Sequence, residues 1–528
     1  MIKLQPERSP RSTFLVIALA ALFVIAPAVF AQTDTGRIVG TVKDANGGLV
    51  PGASIVVKNE RTGEERTAVS TEEGIFIVSA LKASTYTVTA NGQNLEAAVN
   101  NVQLLVGQEV NLNLTLQATG VAASVDVSAG TADVAIDTSS ASMGVNVNPR
   151  EVQALPLNGR QLSQLYLQAP GSVNSGSGTF GDIRFNGRAV EQNIVRYDGV
   201  EGTAVIDASP GNLNGEVPSP FRLQSSLENV QEFRVDSSNF PAEFGTGTGG
   251  QISVVTKSGS NAFHGSVFEY LRNDALDAAN FFDNIVGKKA PLRLNQFGGS
   301  IGGPIIKNKS FFFFSYEGYR LRAGINSIEA VPGAQARICA PAPGGVPCVE
   351  ANGLPSRTLL LLPAFRDPSA SIISTGTGSN LFDVAQVQAS SSVNETAYAF
   401  RFDYKFNANN SLYFRYFRDQ GTNNQPEGVS GRRVNFVAVP QNGVIAFQSI
   451  LRPTMVNEFK FGYNGAFTRT NGLAPTINGI DISRLAVNIS GNTANFAIAG
   501  QGTAAGTSNP GGLIRANSAT NGRGQPYT

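Results

Sequence analysis

Tryptophan is absent from this chain of 528 residues, histidine occurs once, at His264, and cysteine twice, at Cys339 and Cys348. A single histidine excludes a multi-histidine zinc site and the His-Glu-x-x-His helix of metalloproteases. His264 opens a β-type pattern, so it reads as structural rather than as a general acid or base; no catalytic, metal or cofactor site is expected. An excess of one charge is missing too. The 40 basic and 39 acidic residues leave +1, with no basic footprint for nucleic acid and no acidic tail. Beyond the N-terminus no stretch approaches the ~20 uninterrupted apolar residues of a spanning helix. Membrane residence, if any, must therefore be in β form.

What the chain does have is glycine, 57 residues, and a low charged fraction of 15%. That balance suits turn-rich β structure, and the length allows three or four domains. The N-terminus carries an export signal. Lys3, Arg8 and Arg11 precede the apolar Phe14–Ala26, and Val29-Phe30-Ala31 supplies small residues for cleavage between Ala31 and Gln32. Its apolar core is too short to span a bilayer. Cleavage removes those three bases and Glu7, leaving 37 basic and 38 acidic residues, a net of −1.

From Thr35 to Gln117 short β runs alternate with turns, at Arg37–Lys43, Ser54–Asn59, Glu65–Ser70, Gly74–Ser79, Thr85–Ala90 and near Val110–Leu116. In the last, Val110, Leu112, Leu114 and Leu116 face one way and Asn111, Asn113 and Thr115 the other. Evenly spaced short strands indicate a sandwich. The string GRIVGTVKDANGGLVPGASIVVKNERTGEERTAVSTEEGIFIVSAL resembles the carboxypeptidase regulatory-like domain, a transthyretin-like, carbohydrate-binding-like sandwich without peptidase chemistry. Leu81–Tyr86 departs from the family's turn. Sugar binding would rest on fold analogy alone, against a scaffold or docking role.

The segment Pro241–Gly259 is glycine-dense, with Gly245, Gly247, Gly249 and Gly250 ahead of a β run at Ile252–Lys257 and a second β pattern from Phe263. Glycine lets backbone pass close to its neighbours, so a crowded loop is expected. Upstream, in order, stand LPLNGRQLSQL, APG, IRFNGR, VRYDGV and ENVQEFRVD. Together these phrases resemble the plug domain of TonB-dependent outer-membrane receptors, closest to the Oar-like branch, in which the plug's last strand leads into a barrel. The resemblance implies a plug over 139–257 whose polar residues (Arg160, Arg184, Arg188, Asp198, Glu243) bond to the barrel wall. It also implies a coupling segment in the linker 120–138, the TonB box, which pairs as a strand with a periplasmic energy-coupling protein. Val125, Asp126, Val127, Ser128 and Ala129 match best, with a plain linker as the alternative.

After Phe263 the pattern is that of membrane strands. In Thr396–Phe406, Tyr398, Phe400, Phe402, Tyr404 and Phe406 oppose Arg401, Asp403 and Lys405, as lipid outside and a polar lumen inside require. Leu412–Tyr416 and Glu458–Tyr463 repeat this. In Phe311–Tyr316 phenylalanines occupy both faces, which places Phe311 and Phe313 on the plug. Seven strands are expected, near Ser266–Arg272, Gln296–Ile305, Ser310–Tyr319, Ala397–Phe406, Ser411–Phe417, Val444–Leu451 and Glu458–Phe467. Plugged barrels have about 22, so the pattern reads as the first part of a C-terminally truncated barrel. Cys339 and Cys348, in a Pro/Gly-rich loop, are expected to form a disulfide in an oxidising compartment rather than a metal or redox pair.

The expected fold is mainly β: a sandwich over 32–119, an α+β plug, and part of a transmembrane antiparallel barrel from 258. The expected function is energised uptake of an extracellular ligand, with the coupling protein and outer-membrane lipid as partners and no nucleic acid. The alternative is a non-transporting surface binding or adhesion protein.

Overall fold

Period-two alternation governs the architecture. The computed structural model describes, apart from short gaps, residues 35–118, 124–126, 142–174, 183–202, 225–332, 372–374, 382–427, 432–473 and 476–481. The N-terminal unit is a two-sheet sandwich. One sheet holds β4 (Ile75–Lys82), β1 (Thr35–Lys43) and β7 (Glu109–Asn111), with β8 (Leu114–Thr115) also on β1. The other runs β10 (Ser124–Asp126), β6 (Leu95–Leu104), β5 (Ser84–Gly92), β2 (Ser54–Asn59) and β3 (Glu65–Val69), with β9 (Gln117–Ala118) also on β6. Ile38, Val42, Ile55, Val57, Phe76, Val88, Leu114 and Leu116 meet in one buried core between the sheets. The run near Val110–Leu116 is two short strands rather than one, although its alternation holds.

Two features of the sandwich depart from the expected strands. β6 is additional. Its inward set changes from Ala97 and Val99 to Val102 and Leu104, with Asn101 at φ 59° and a register shift between the β5 residues Tyr86 and Val88. One extra residue reverses the alternation that sequence reading depends on. β10 falls within the stretch expected to be linker. It pairs in parallel with β6, Val125 opposite Val99, so the sandwich sheet extends past residue 119.

The middle unit is one mixed sheet: β11 (Met143–Val147), β16 (Val230–Ser238), β17 (Gln251–Thr256), β14 (Ile194–Tyr197) and β15 (Val200–Glu201). β12 (Ser172–Asn174) and β13 (Ile183–Phe185) form a separate hairpin. The helix α1 (Pro149–Ala154) begins where its sequence dictates. The Asn148 side chain accepts from the Arg150 and Glu151 amides at 3.0 Å, and Glu151 accepts in return from the Asn148 amide at 2.9 Å, a capping box with proline at the first turn. Val152 of this helix joins Phe233, Val235, Ile252, Val254 and Tyr166 in the core.

The third unit is an antiparallel sheet of seven consecutive long strands: β18 (His264–Asn273), β19 (Leu292–Ile306), β20 (Ser310–Pro332), β22 (Phe382–Lys405), β23 (Asn410–Glu427), β24 (Arg432–Arg452) and β25 (Met455–Leu473). The short β21 (Ile372–Ser374) lies on β22. Every strand expected from the sequence is present, and most are longer than expected. β22 has 24 residues, where a tilted membrane strand needs about 9–11. The outer face carries the aromatic pairs Tyr398–Tyr416, Phe400–Phe414 and Phe406–Phe447, with ring centroids 6.3–6.5 Å apart. Phe459, Phe461 and Tyr463 are exposed on the same side, while Tyr413 and Arg415 are buried on the other. Connections at one end are short (307–309, 406–409, 453–454), whereas the other end includes 274–291 and 333–381. Short turns mark the periplasmic end of bacterial barrels.

Candidate functional site

The middle unit lies against the inner face of this sheet, and the chain between them is short. β17 ends at Thr256 and β18 begins at His264. At the junction a Cβ on Gly259 would sit 2.4 Å from the Phe312 carbonyl and 2.9 Å from Phe311. Phe311 and Phe313 are buried; Phe311 meets the junction at Gly259, just past the plug residues on which both were expected to pack. Most of the glycine loop is crowded: a Cβ would come within 2.6 Å of the Gln192 carbonyl at Gly247, 2.4 Å of Asn193 at Gly249 and 2.4 Å of the Phe185 ring at Gly250. Gly245 is the exception, with nothing within 4 Å, so crowding does not explain that glycine.

The strongest link between the units starts from a turn. β14 and β15 are joined by Asp198-Gly199, with φ of 49° and 81°, the left-handed pair that Asp-Gly hairpins favour. The turn presents the Asp198 carboxylate to the wall. Arg415 on β23 donates to it from Nε at 2.9 Å, and to the Tyr197 carbonyl from Nη2 at 2.8 Å. The remaining guanidinium nitrogen of Arg415 bonds to Asn442 on β24, at 2.6 Å to its side chain. Arg401 on β22 stands 3.7 Å from Asp198, held by Asp403 at 2.9 Å and bonded to Thr256. The Thr256 amide and hydroxyl also donate to Asp198, at 2.9 and 2.7 Å. Burial pushes the Asp198 carboxyl upward, but Arg415, Arg401 and Thr256 outweigh it and hold it below the usual range. A buried charge supplied with this many partners is a fixed latch.

A second cluster lies at Glu228, just before β16. Arg160 donates to Glu228 at 2.8 Å, reaches Glu317 on β20 at 3.8 Å and stacks 4.0 Å over Phe268. Ser266 donates to Glu228 at 2.5 Å, and Ser226 and Gln296 donate to Glu317. Burial raises the Glu228 carboxyl, yet Ser266, Lys257 and Arg160 bring it below its ordinary value. Arg160 and Asp198 are thus wall partners, as expected. Arg184 and Arg188 are exposed instead, because both lie on the solvent side of the β13 hairpin and its turn. Glu243 lies outside the described residues. Glu228 and Glu317 escaped sequence reading, since a lone carboxylate in an alternating strand carries no mark of its partner.

The sandwich docks beneath both units at the short-turn end. Arg61 donates to Gln231 at 3.0 Å, Gln231 donates to the Ala83 carbonyl at 3.1 Å, and the Val106 amide donates to Glu232 at 2.6 Å. Lys82 stands 4.0 Å from Asp403 on β22. Within the candidate coupling segment, Val125 and Asp126 form part of β10; Val127, Ser128 and Ala129 lie outside the described residues. So do Cys339, Cys348, Ala31 and Gln32. The ring of exposed His264 lies 3.3 Å from the Ser260 hydroxyl and 3.1 Å from the Ala262 carbonyl.

Residues 37–117 match the family described as Carboxypeptidase regulatory-like domain. A similar curated protein is the TonB-dependent transporter Oar of Myxococcus xanthus, 29% identical over 329 residues, covering 59% of this chain and 29% of that protein. The chain thus spans less than a third of that relative's length. Among solved structures, the outer membrane transporter YddB from Escherichia coli shares 12% identity at a TM-score of 0.40, covering 62% of this chain and 39% of its own. The siderophore receptor PirA from Acinetobacter baumannii shares 14% at 0.33, with 62% and 45% covered. Residues 255–522, half of the chain, match the family described as Outer membrane beta barrel domain. The chain is therefore an outer-membrane protein homologous to the Oar transporter, and it belongs to the outer-membrane β-barrel domain family.

Proposed function

We propose that the chain acts as a TonB-dependent receptor, not an enzyme. In this reading residues 139–257 are a plug that gates the barrel, and energy from a periplasmic coupling protein drives uptake of an extracellular ligand. The observation that carries it is the Asp198 latch. A soluble domain fused by chance to a barrel has no reason to place a buried carboxylate on two wall arginines, whereas a gate needs one seated position from which it is displaced. The sandwich occupies 32–119 together with its edge strand β10, the barrel part begins at 258, and the coupling segment is Val125–Ala129. One edge of Val125–Asp126 is already paired to β6, and among the described residues no strand pairs with the other, where a strand could add.

The test compares two substitutions at Val127. Strand addition draws its affinity from backbone groups, so Val127→Pro, which removes an N–H and resists pairing, weakens binding of the coupling protein's periplasmic domain about tenfold or more. Val127→Ala costs little. Equal binding by wild type and both variants makes the segment a plain linker, and outer-membrane uptake that persists without the coupling protein ends the receptor reading itself.

A further inference from the structure

Between the sandwich, the connector at Ser258 and Gly259 and the sheet lies a cleft of about 60 Å³, against the ~10–15 Å³ of comparable space that one water needs. It has room for a tetrahedral oxyanion. Five cations line it (Arg61, Lys82, Lys309, Arg401 and Lys405) against two carboxylates, Glu64 and Asp403. Asp403 is already committed to Arg401, at 2.9 and 3.1 Å, with Lys82 at 4.0 Å. Among the described residues the Arg61 guanidinium donates to neutral oxygens, Gln231 at 3.0 Å and the Ser258 carbonyl at 3.4 Å. Among the described residues Lys309 and Lys405 have no carboxylate within salt-bridge distance, and Lys309 lies 5.7 Å over the Tyr404 ring. Burial, reinforced by repulsion from Arg401 and opposed by Asp403 and Glu232, pulls the Arg61 guanidinium below its ordinary value; with five cations against two carboxylates in its lining, the cleft is net positive.

Its position bears on which anion it would take. The cleft crosses the strand ends at the short-turn, periplasmic side. Arg401 and Asp403 belong to the inner face, and Tyr404 to the outer aromatic row, packed on Phe402 and Phe406. Aromatic rings at that level of a barrel sit among lipid headgroups. We propose that this cleft binds a phosphate group, supplied by the headgroup of an anionic phospholipid of the periplasmic leaflet, through Arg61, Lys309 and Lys405. The bound phosphate ties the sandwich to the barrel rim. The site is independent of the transport reading.

The test uses the whole chain, freed of lipid in a non-ionic detergent. Binding is measured for dihexanoyl phosphatidylglycerol, for inorganic phosphate, and for dihexanoylglycerol, which has the same tails without phosphate. The phosphatidylglycerol is expected to bind, the dihexanoylglycerol not, and Lys309→Gln/Lys405→Gln to lose affinity about tenfold or more. Both lysines stand at strand ends, so the variant folds. Lys43→Gln, on an exposed sandwich position away from the cleft, serves as the control and binds as wild type. Inorganic phosphate binding as tightly as the lipid keeps the site but replaces a lipid with a soluble source. Phosphatidylglycerol binding no tighter than dihexanoylglycerol, or full affinity in the double variant, overturns the proposal.

Discussion

Asp198 answers two demands with one side chain: it occupies a left-handed turn position and compensates a fully buried arginine. Among the described residues Arg415 has its one carboxylate partner there, while Arg401 keeps Asp403. Asp198→Asn therefore strands a buried guanidinium, at a cost of about 3–5 kcal/mol, and is expected to open the middle unit to limited proteolysis while the sheet stays folded. Asp198→Asn/Arg415→Gln should regain part of the loss; a double variant worse than the single would count against a pairwise latch. The carboxyl is held low, so its contribution is present above the unfolded value near ~3.9 and is lost as pH falls through the lower folded value. The latch holds at neutral pH and yields only to strong acid.

At the scale of the element, the long strands explain why sequence signal and structural extent differ. The half of β22 near its short turn has aromatics outside and charge inside, and the alternation is unmistakable. Its far half includes Ala389-Ser390-Ser391-Ser392-Val393-Asn394, small or polar at most positions of both faces, although Ala389, Ser391 and Val393 are buried and the residues between them less so. With so little chemical contrast between the faces, the sequence does not mark the strand there. What holds it is its neighbours: β20 and β22 pair without a break from Ser310–Tyr404 to Pro332–Phe382. The lipid-facing assignment has its own consequence. Phe461 is exposed on the outer face, and Phe461→Lys is expected to cost about 2–4 kcal/mol on refolding into phosphatidylcholine vesicles. Lys460→Gln, on the opposite face and paired at 3.5 Å with Glu458, should cost about 1 kcal/mol or less. Equal costs would mean that the outer face does not meet lipid.

For the whole molecule, the docking of the sandwich makes a pH-dependent joint. Burial lifts the Glu232 carboxyl to about 7, opposed only in part by the Val106 amide and by Arg61. The unfolded chain loses this proton near ~4.3, so the contribution is full below that pH and declines as pH rises to about 7. Glu232→Gln keeps an acceptor for the Val106 amide and removes the ionisation. It is expected to melt with wild type at pH 4.5 and above it at pH 8, by roughly 3 kcal/mol. Parallel pH profiles for the two proteins would place the ionisation elsewhere.

Local pattern determined the kinds of element in this chain. Alternating aromatic and charged residues gave membrane strands, Asp-Gly gave a tight hairpin turn, and Asn148 with Glu151 gave a capped helix start, because each depends on residues within a few positions of one another. The tertiary structure decided which groups meet. Asp198 and Arg415 are 217 positions apart, Val106 and Glu232 are 126 apart, and the bulge in β6 shows only once its partner strand is in place. The edge strand β10, read as linker, likewise depends on β6 for its pairing. A side chain's own neighbours fix its face and its φ, but a buried charge is stable only where the fold brings its counter-charge, and no local pattern encodes that distance.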